Sequence, residues 1–227
     1  MRQADHHDPL FAALAEQLKL PLLQITRLSE MGGEPALSRI SLISDYALML
    51  VDAFSLAHSQ MQGKLLLEPI TTTAILYDVA QSLEPFARQA QFEIEVDKQG
   101  REIPIMAHRD SLETMLTLLG ASLLEASDDT DTSRRLVLGT HRTDKGTVVG
   151  AFSGHTPVTQ KVIEMTRRLH GRAAHGVPVL RQAGGAGLAI ADRLGEQMSA
   201  PLKSYRHKSL IGIGSLLTSS HQLQLVA

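Results

Sequence analysis

Apolar residues recur every three or four positions at Leu14, Leu18, Leu22, Ile25 and Leu28, while Lys19, Gln24 and Arg27 fall off that stripe. This is the period of one face of an α-helix. The same run carries Pro21 in its interior. A proline removes a backbone hydrogen bond and crowds the preceding turn, so a pattern this regular around it predicts a helix that tolerates a bend. Asp8 and Pro9 supply an N-cap and a first helical position, and Gly32-Gly33 stops the helix after Met31. Glu34-Pro35 opens a second stripe, made of Leu37, Ile40, Ile43, Ala47, Leu50, Phe54 and then Ala57 or Met61. Two long amphipathic helices joined by so short a turn make an antiparallel hairpin. A hairpin alone cannot bury both of its apolar faces. It must dock on another domain of its own chain or pair with a second copy as a four-helix bundle.

The 227 residues suffice for one large domain or two small ones, and 43% are hydrophobic, enough for a real core. A net charge of −2 argues against general nucleic-acid binding. The absence of cysteine excludes a disulfide framework and a thiolate metal site. No apolar run reaches the ~20 residues of a membrane span, and residues 1–8 are too polar for a signal peptide. A cytoplasmic protein with no membrane span is expected.

Residues 1–8, with His6 and His7, read as a solvated tail, 9–62 as the hairpin domain, and 66–227 as a second domain beyond a hinge at Gln62-Gly63-Lys64. The second domain opens with a helix over 75–91. Alternating strands follow at 92–96, closed by Gln99-Gly100, and at 103–107. A helix over 112–125 and a polar acidic turn at 128–133 come next. Residues 136–140 and 147–152 form a β-hairpin around Asp144-Lys145-Gly146. Residues 157–180 read as a helix with the stripe Val162, Met165 and Leu169, then a mobile loop. Lys161, Arg167, Arg168, Arg172 and Arg181 make this the most basic part of the chain, either a lid that pairs with phosphates or a solvated face. In the stretch 182–193, glycines lead directly into a helix, placing backbone N–H groups where an anion can sit. Equally, Gly187 and Ala189 would let that helix pack closely on a sheet. Strands at 202–206 and 211–218 and a short apolar end at 222–226 complete the chain.

Glu16, Gln17, Leu18, Lys19, Leu20, Pro21 and Leu22 resemble the His-Glu-Leu-Arg-Thr-Pro-Leu motif of the dimerisation and phosphoacceptor helix of bacterial sensor histidine kinases. Gly185, Gly187, Leu188 and Ile190 resemble that family's glycine-rich Gly-x-Gly-Leu-Gly-Leu-x-Ile motif, with Ala183 and Ala186 departing from it. Gly212, Gly214 and Ser215 resemble its late Gly-x-Gly-Ser/Thr turn. The resemblance runs from Phe11 to Thr218. It implies an α+β fold: a helical hairpin that becomes a four-helix bundle in a homodimer, followed by a Bergerat-type α/β sandwich. It also implies ATP and magnesium as cofactors, with the nucleotide held by Gly154, Gly185, Gly187, Leu188, Gly212 and Gly214. A response-regulator receiver domain would dock at Glu16, Lys19 and Leu20.

The family's reactive positions are changed in this chain. Glu16 stands where the acceptor histidine belongs. None of His58, His108, His141, His155, His170 or His175 lies in a matching basic-x-Pro pattern, and each reads as a surface or structural histidine. The metal-binding asparagines fall at Leu118 and Ser122 and a usual basic residue at Glu125, in a protein with no asparagine at all. Magnesium needs hard oxygen ligands, which leucine lacks. Phe152 replaces the adenine-binding aspartate and would fill the adenine pocket. Two functions follow from the resemblance. One is a degenerate kinase serving as a dimeric scaffold for a response regulator or another partner. The other is an atypical ATP-binding kinase or ATPase that uses the glycine-rich motif.

Overall fold

Pro9–Met31 forms helix α1 and Glu34–Ser59 forms helix α2, in a computed structural model that describes residues 9–60, 65–98, 104–126, 134–154, 159–169 and 185–220. Pro21 lies inside α1 and is buried. The chain reverses through Gly32 at φ 65° and Gly33 at φ 88°, left-handed backbone that a side chain would oppose. The helices fall where the sequence put them.

β1 (Glu68–Ile70), α3 (Thr72–Ala90), β2 (Glu93–Lys98), β3 (Ile105–Ala107) and α4 (Arg109–Ala126) follow in order. Next come β4 (Arg135–Thr143), β5 (Gly146–Ser153), α5 (Gln160–Leu169), α6 (Gly185–Gln197), β6 (Leu202–His207) and β7 (Leu210–Leu217). The five-stranded sheet runs β2-β4-β5-β7-β6, with β2 parallel to β4 and the other pairs antiparallel. β1 pairs separately with β3. It was not anticipated, because Pro69 at its centre speaks against a strand.

Strand alternation divides the sheet's side chains between two layers. Leu136, Leu138, Val149, Ala151 and Ile213 enter the main core with α3, α4 and α6, while Val137, Val148 and Phe152 form a separate cluster with Tyr205, Leu210 and Leu216. α4 is buried on nearly every face. The hairpin joins the same core through Leu10, Leu14, Leu50, Ala53 and Ala57, and Gln197 Nε2 donates to the Ala57 carbonyl at 2.7 Å. Docking on its own second domain therefore covers part of the hairpin's apolar surface. It leaves Leu22, Leu37 and Leu48 at 59%, 59% and 60% exposure.

Among the described helices, α2 is long and apolar enough to cross a membrane by length and composition, which corrects the expectation that no segment of the chain is. Leu50, Ala53 and Ala57 of this helix nevertheless pack into protein.

α5 is clamped to its neighbours. Arg167 donates to both carboxylate oxygens of the fully buried Asp192, at 2.8 and 2.7 Å, and to the Leu202 carbonyl at 2.6 Å. Asp192 also accepts from the Leu202 amide at 3.1 Å. Arg167 thus belongs to neither a phosphate lid nor a solvated face. Burial of Asp192 demanded a partner, and the guanidinium supplies a bidentate one.

Candidate functional site

The hairpin and the helix pair α3–α4 enclose a cleft of about 630 Å³. Its α1 wall carries Glu16, Lys19 and Leu20, the three residues singled out for partner binding, followed by Pro21 and Leu23. The opposite side presents Phe86 of α3 and Leu124 and Glu125 of α4, while Tyr46 comes from α2.

Tyr46 donates its hydroxyl hydrogen to Glu125 Oε2 at 3.0 Å, and its ring meets Phe86 edge-on at 6.1 Å. Desolvation, reinforced by the adjacent Glu125 charge, pushes the Tyr46 phenol well above its ordinary value. Desolvation also raises Glu125, against the opposing effect of the Tyr46 hydrogen bond. Glu16 pairs with Lys19 one turn away, with both side chains more than half exposed, so the pair contributes little to stability. Tyr46 and Phe86 carried no signal in the sequence, where each is one aromatic residue on a long helix. Glu125 was visible only as a change of sign at a usually basic position.

At the inner end of the cleft, Ala186 N–H donates to Gln17 Oε1 at 3.0 Å. The side chain of Gln17 thereby satisfies a backbone donor in the first turn of α6, one of the groups that would otherwise face an anion. Gly187 has a packing role too. A Cβ there would lie 3.3 Å from Ser122 Oγ and 3.6 Å from Leu50 Cδ2. The close approach is to α4 and α2, rather than to the sheet as the sequence suggested.

The predicted nucleotide residues do not all converge. Gly185, Gly187 and Leu188 sit together at the start of α6, with Leu188 fully buried. Gly212 and Gly214 lie in β7 at a close contact with β5. A Cβ on Gly212 would be 2.0 Å from the Ala151 carbonyl oxygen, and one on Gly214 would be 2.5 Å from that of Val149. Gly154 lies in the bend just after β5 and is exposed. Phe152 does not fill a pocket beside α6. Strand alternation turns it to the other face of the sheet, where it stacks on His207 at 4.8 Å. There His207 Nε2 shares a 2.9 Å hydrogen bond with Asp97 Oδ2, which also pairs with Lys208.

Leu118 is fully buried in the main core, and Ser122 Oγ is buried with no hydrogen-bond partner among the described residues. Among the described residues no group of three or more His, Asp or Glu side chains is placed to hold a metal ion. This donor set, one leucine and one enclosed hydroxyl, does not suit magnesium. The tail with His6 and His7, the hinge at 62–64, the turns at 99–100 and 128–133 and the end at 222–226 lie outside the described residues. So do His155, His170, His175, Arg172, Arg181 and Ala183, as well as the side chain of Arg168.

A helical hairpin followed by this two-layer sandwich is the fold of sensor histidine kinases. No protein-family model matches the chain, and no curated protein matches it in sequence. Solved structures do. The Acinetobacter baumannii histidine kinase AdeS superposes with a TM-score of 0.56 at 15% identity, covering 91% of this chain and 98% of that one. Full-length ShkA in complex with AMPPNP gives 0.55 at 18% identity, over 92% of this chain and 46% of that one. Histidine kinase ThkA in complex with response regulator protein TrrA gives 0.55 at 12% identity, over 92% of this chain and 60% of that one. Likeness at these identities is likeness of fold.

Proposed function

We propose that this chain is a histidine-kinase-like protein of two-component signalling that has given up phosphotransfer and serves as a dimeric, cytoplasmic scaffold for a response-regulator receiver domain or another protein. The observation that carries this reading is the pair of neighbours on α1. Glu16 occupies the acceptor position, and Gln17 is engaged with the α6 N-terminus. A carboxylate cannot act as the histidine acceptor of the resemblance. An amide oxygen on the first turn of α6 takes a donor that a phosphate would use.

Residues 9–62 supply the dimerisation hairpin, 66–227 the kinase-like domain, and 1–8 a tail. The exposed Leu22, Leu37 and Leu48 support pairing with a second copy. The likeness to ThkA bound to TrrA supports a receiver partner. Glu16, Lys19 and Leu20 are its contact surface. In a pull-down with a purified receiver domain, Lys19→Glu and Leu20→Ala abolish capture. Unchanged capture contradicts the assignment.

A second reading keeps nucleotide binding at Gly185, Gly187 and Leu188, supported by the start of α6 at these glycines and the likeness to ShkA with AMPPNP. It requires Gln17 to leave Ala186. A Gly187→Val change would test it poorly, because the side chain would press on Leu50 and Ser122. Gln17→Ala is cleaner. Nucleotide affinity that appears or rises in this variant favours the second reading.

A further inference from the structure

We propose that the cleft between the hairpin and α3–α4 is a binding site for a small apolar cation, an amine with an aromatic or aliphatic body. The inference stands on the cleft itself and does not depend on the scaffold reading. A volume of about 630 Å³ falls within the roughly 300–1,000 Å³ of small-molecule sites, which favour domain interfaces and apolar walls with a few polar groups.

Charge complementarity selects the ligand. Three charged residues line the cleft. Glu16 and Lys19 pair with each other. Glu125 accepts a hydrogen bond from Tyr46 and has no cationic partner among the described residues. Among the described residues the cleft therefore presents the Glu125 carboxylate without a cation over apolar walls, with the rings of Tyr46 and Phe86 beside it. An ammonium group would pair with Glu125 and lie near aromatic faces, and an apolar body would cover Leu20 and Leu23.

Calorimetric titration of the full chain with 4-phenylbutylamine and with the matched alcohol 4-phenylbutanol tests this. The amine binds roughly tenfold more tightly than the alcohol, as a charge-assisted hydrogen bond predicts. Glu125→Gln brings the amine down to the level of the alcohol and leaves the alcohol unchanged. Leu23→Lys places a cation at the cleft on a residue that is 64% exposed, where folding is not at risk, and it weakens the amine alone. The proposal is overturned if neither compound binds, if both bind equally to the unaltered chain, or if the amine preference survives Leu23→Lys.

Discussion

Gln17 Oε1 accepts a hydrogen bond from the backbone N–H of Ala186 at 3.0 Å, tying α1 to the first turn of α6 across 169 positions of sequence. The contact occupies one backbone donor at the glycine-rich end of α6 with a neutral amide. Gln17→Ala removes the acceptor and leaves the Ala186 amide without it. By analogy with the loss of a helix cap, the cost is about 1 kcal/mol. Hydrogen exchange at Ala186 should accelerate in this variant while exchange in β5 stays slow. Unchanged protection at Ala186 would show that the contact does not hold in solution.

Arg167 and Asp192 hold α5 against α6 and β6. Asp192 is fully buried, so Arg167→Met strands a carboxylate in the core. Breaking a buried pair from one side costs about 3–5 kcal/mol. The denaturant midpoint should fall accordingly. A shift no larger than that of an exposed arginine, such as Arg88 paired with Glu84 on α3, would contradict the buried clamp.

These two contacts show which parts of the structure were legible in the sequence. The hairpin was readable because its stripes persist over many turns, and the β4–β5 hairpin because Asp144-Lys145-Gly146 interrupts two apolar runs. Gln17–Ala186 and Arg167–Asp192 were not, since pairings 169 and 25 positions apart leave no local pattern. Phe152 was misread for a related reason. Alternation places it on one of the two faces of β5, but the sequence does not say which face carries the helices.

Asp97 gives the fold an acid-sensitive contact. The hydrogen bond from Lys208, with a further one from His207, holds its carboxyl below the ordinary aspartate value despite opposing desolvation. A depressed folded-state value contributes stability above the unfolded value, near 3.9. That contribution is lost as the pH falls through the folded one. Melting curves should show Asp97→Asn less stable at pH 7, with the gap to the unaltered chain narrowing below about pH 4. A constant gap would mean that the carboxylate makes no net contribution.

Glu125 has the opposite sign. Its folded-state value is raised by desolvation, so the folded form holds its proton more readily than the unfolded chain. Ionisation at neutral pH therefore works against folding. Glu125→Gln keeps an acceptor for Tyr46 and removes the charge. Its Tm at pH 7 should exceed that of the unaltered chain, with the difference shrinking as the pH falls. A lower Tm at pH 7 would indicate a cationic partner within the folded chain.

On the proposed scaffold reading, the kinase fold is kept without its phosphotransfer chemistry. Calorimetric titration of the purified chain with ATP, with and without magnesium, tests it most directly. No heat of binding and no shift in melting temperature are expected at millimolar nucleotide. Saturable micromolar binding that strengthens with magnesium would contradict it and return Gly185 and Gly187 to a nucleotide site.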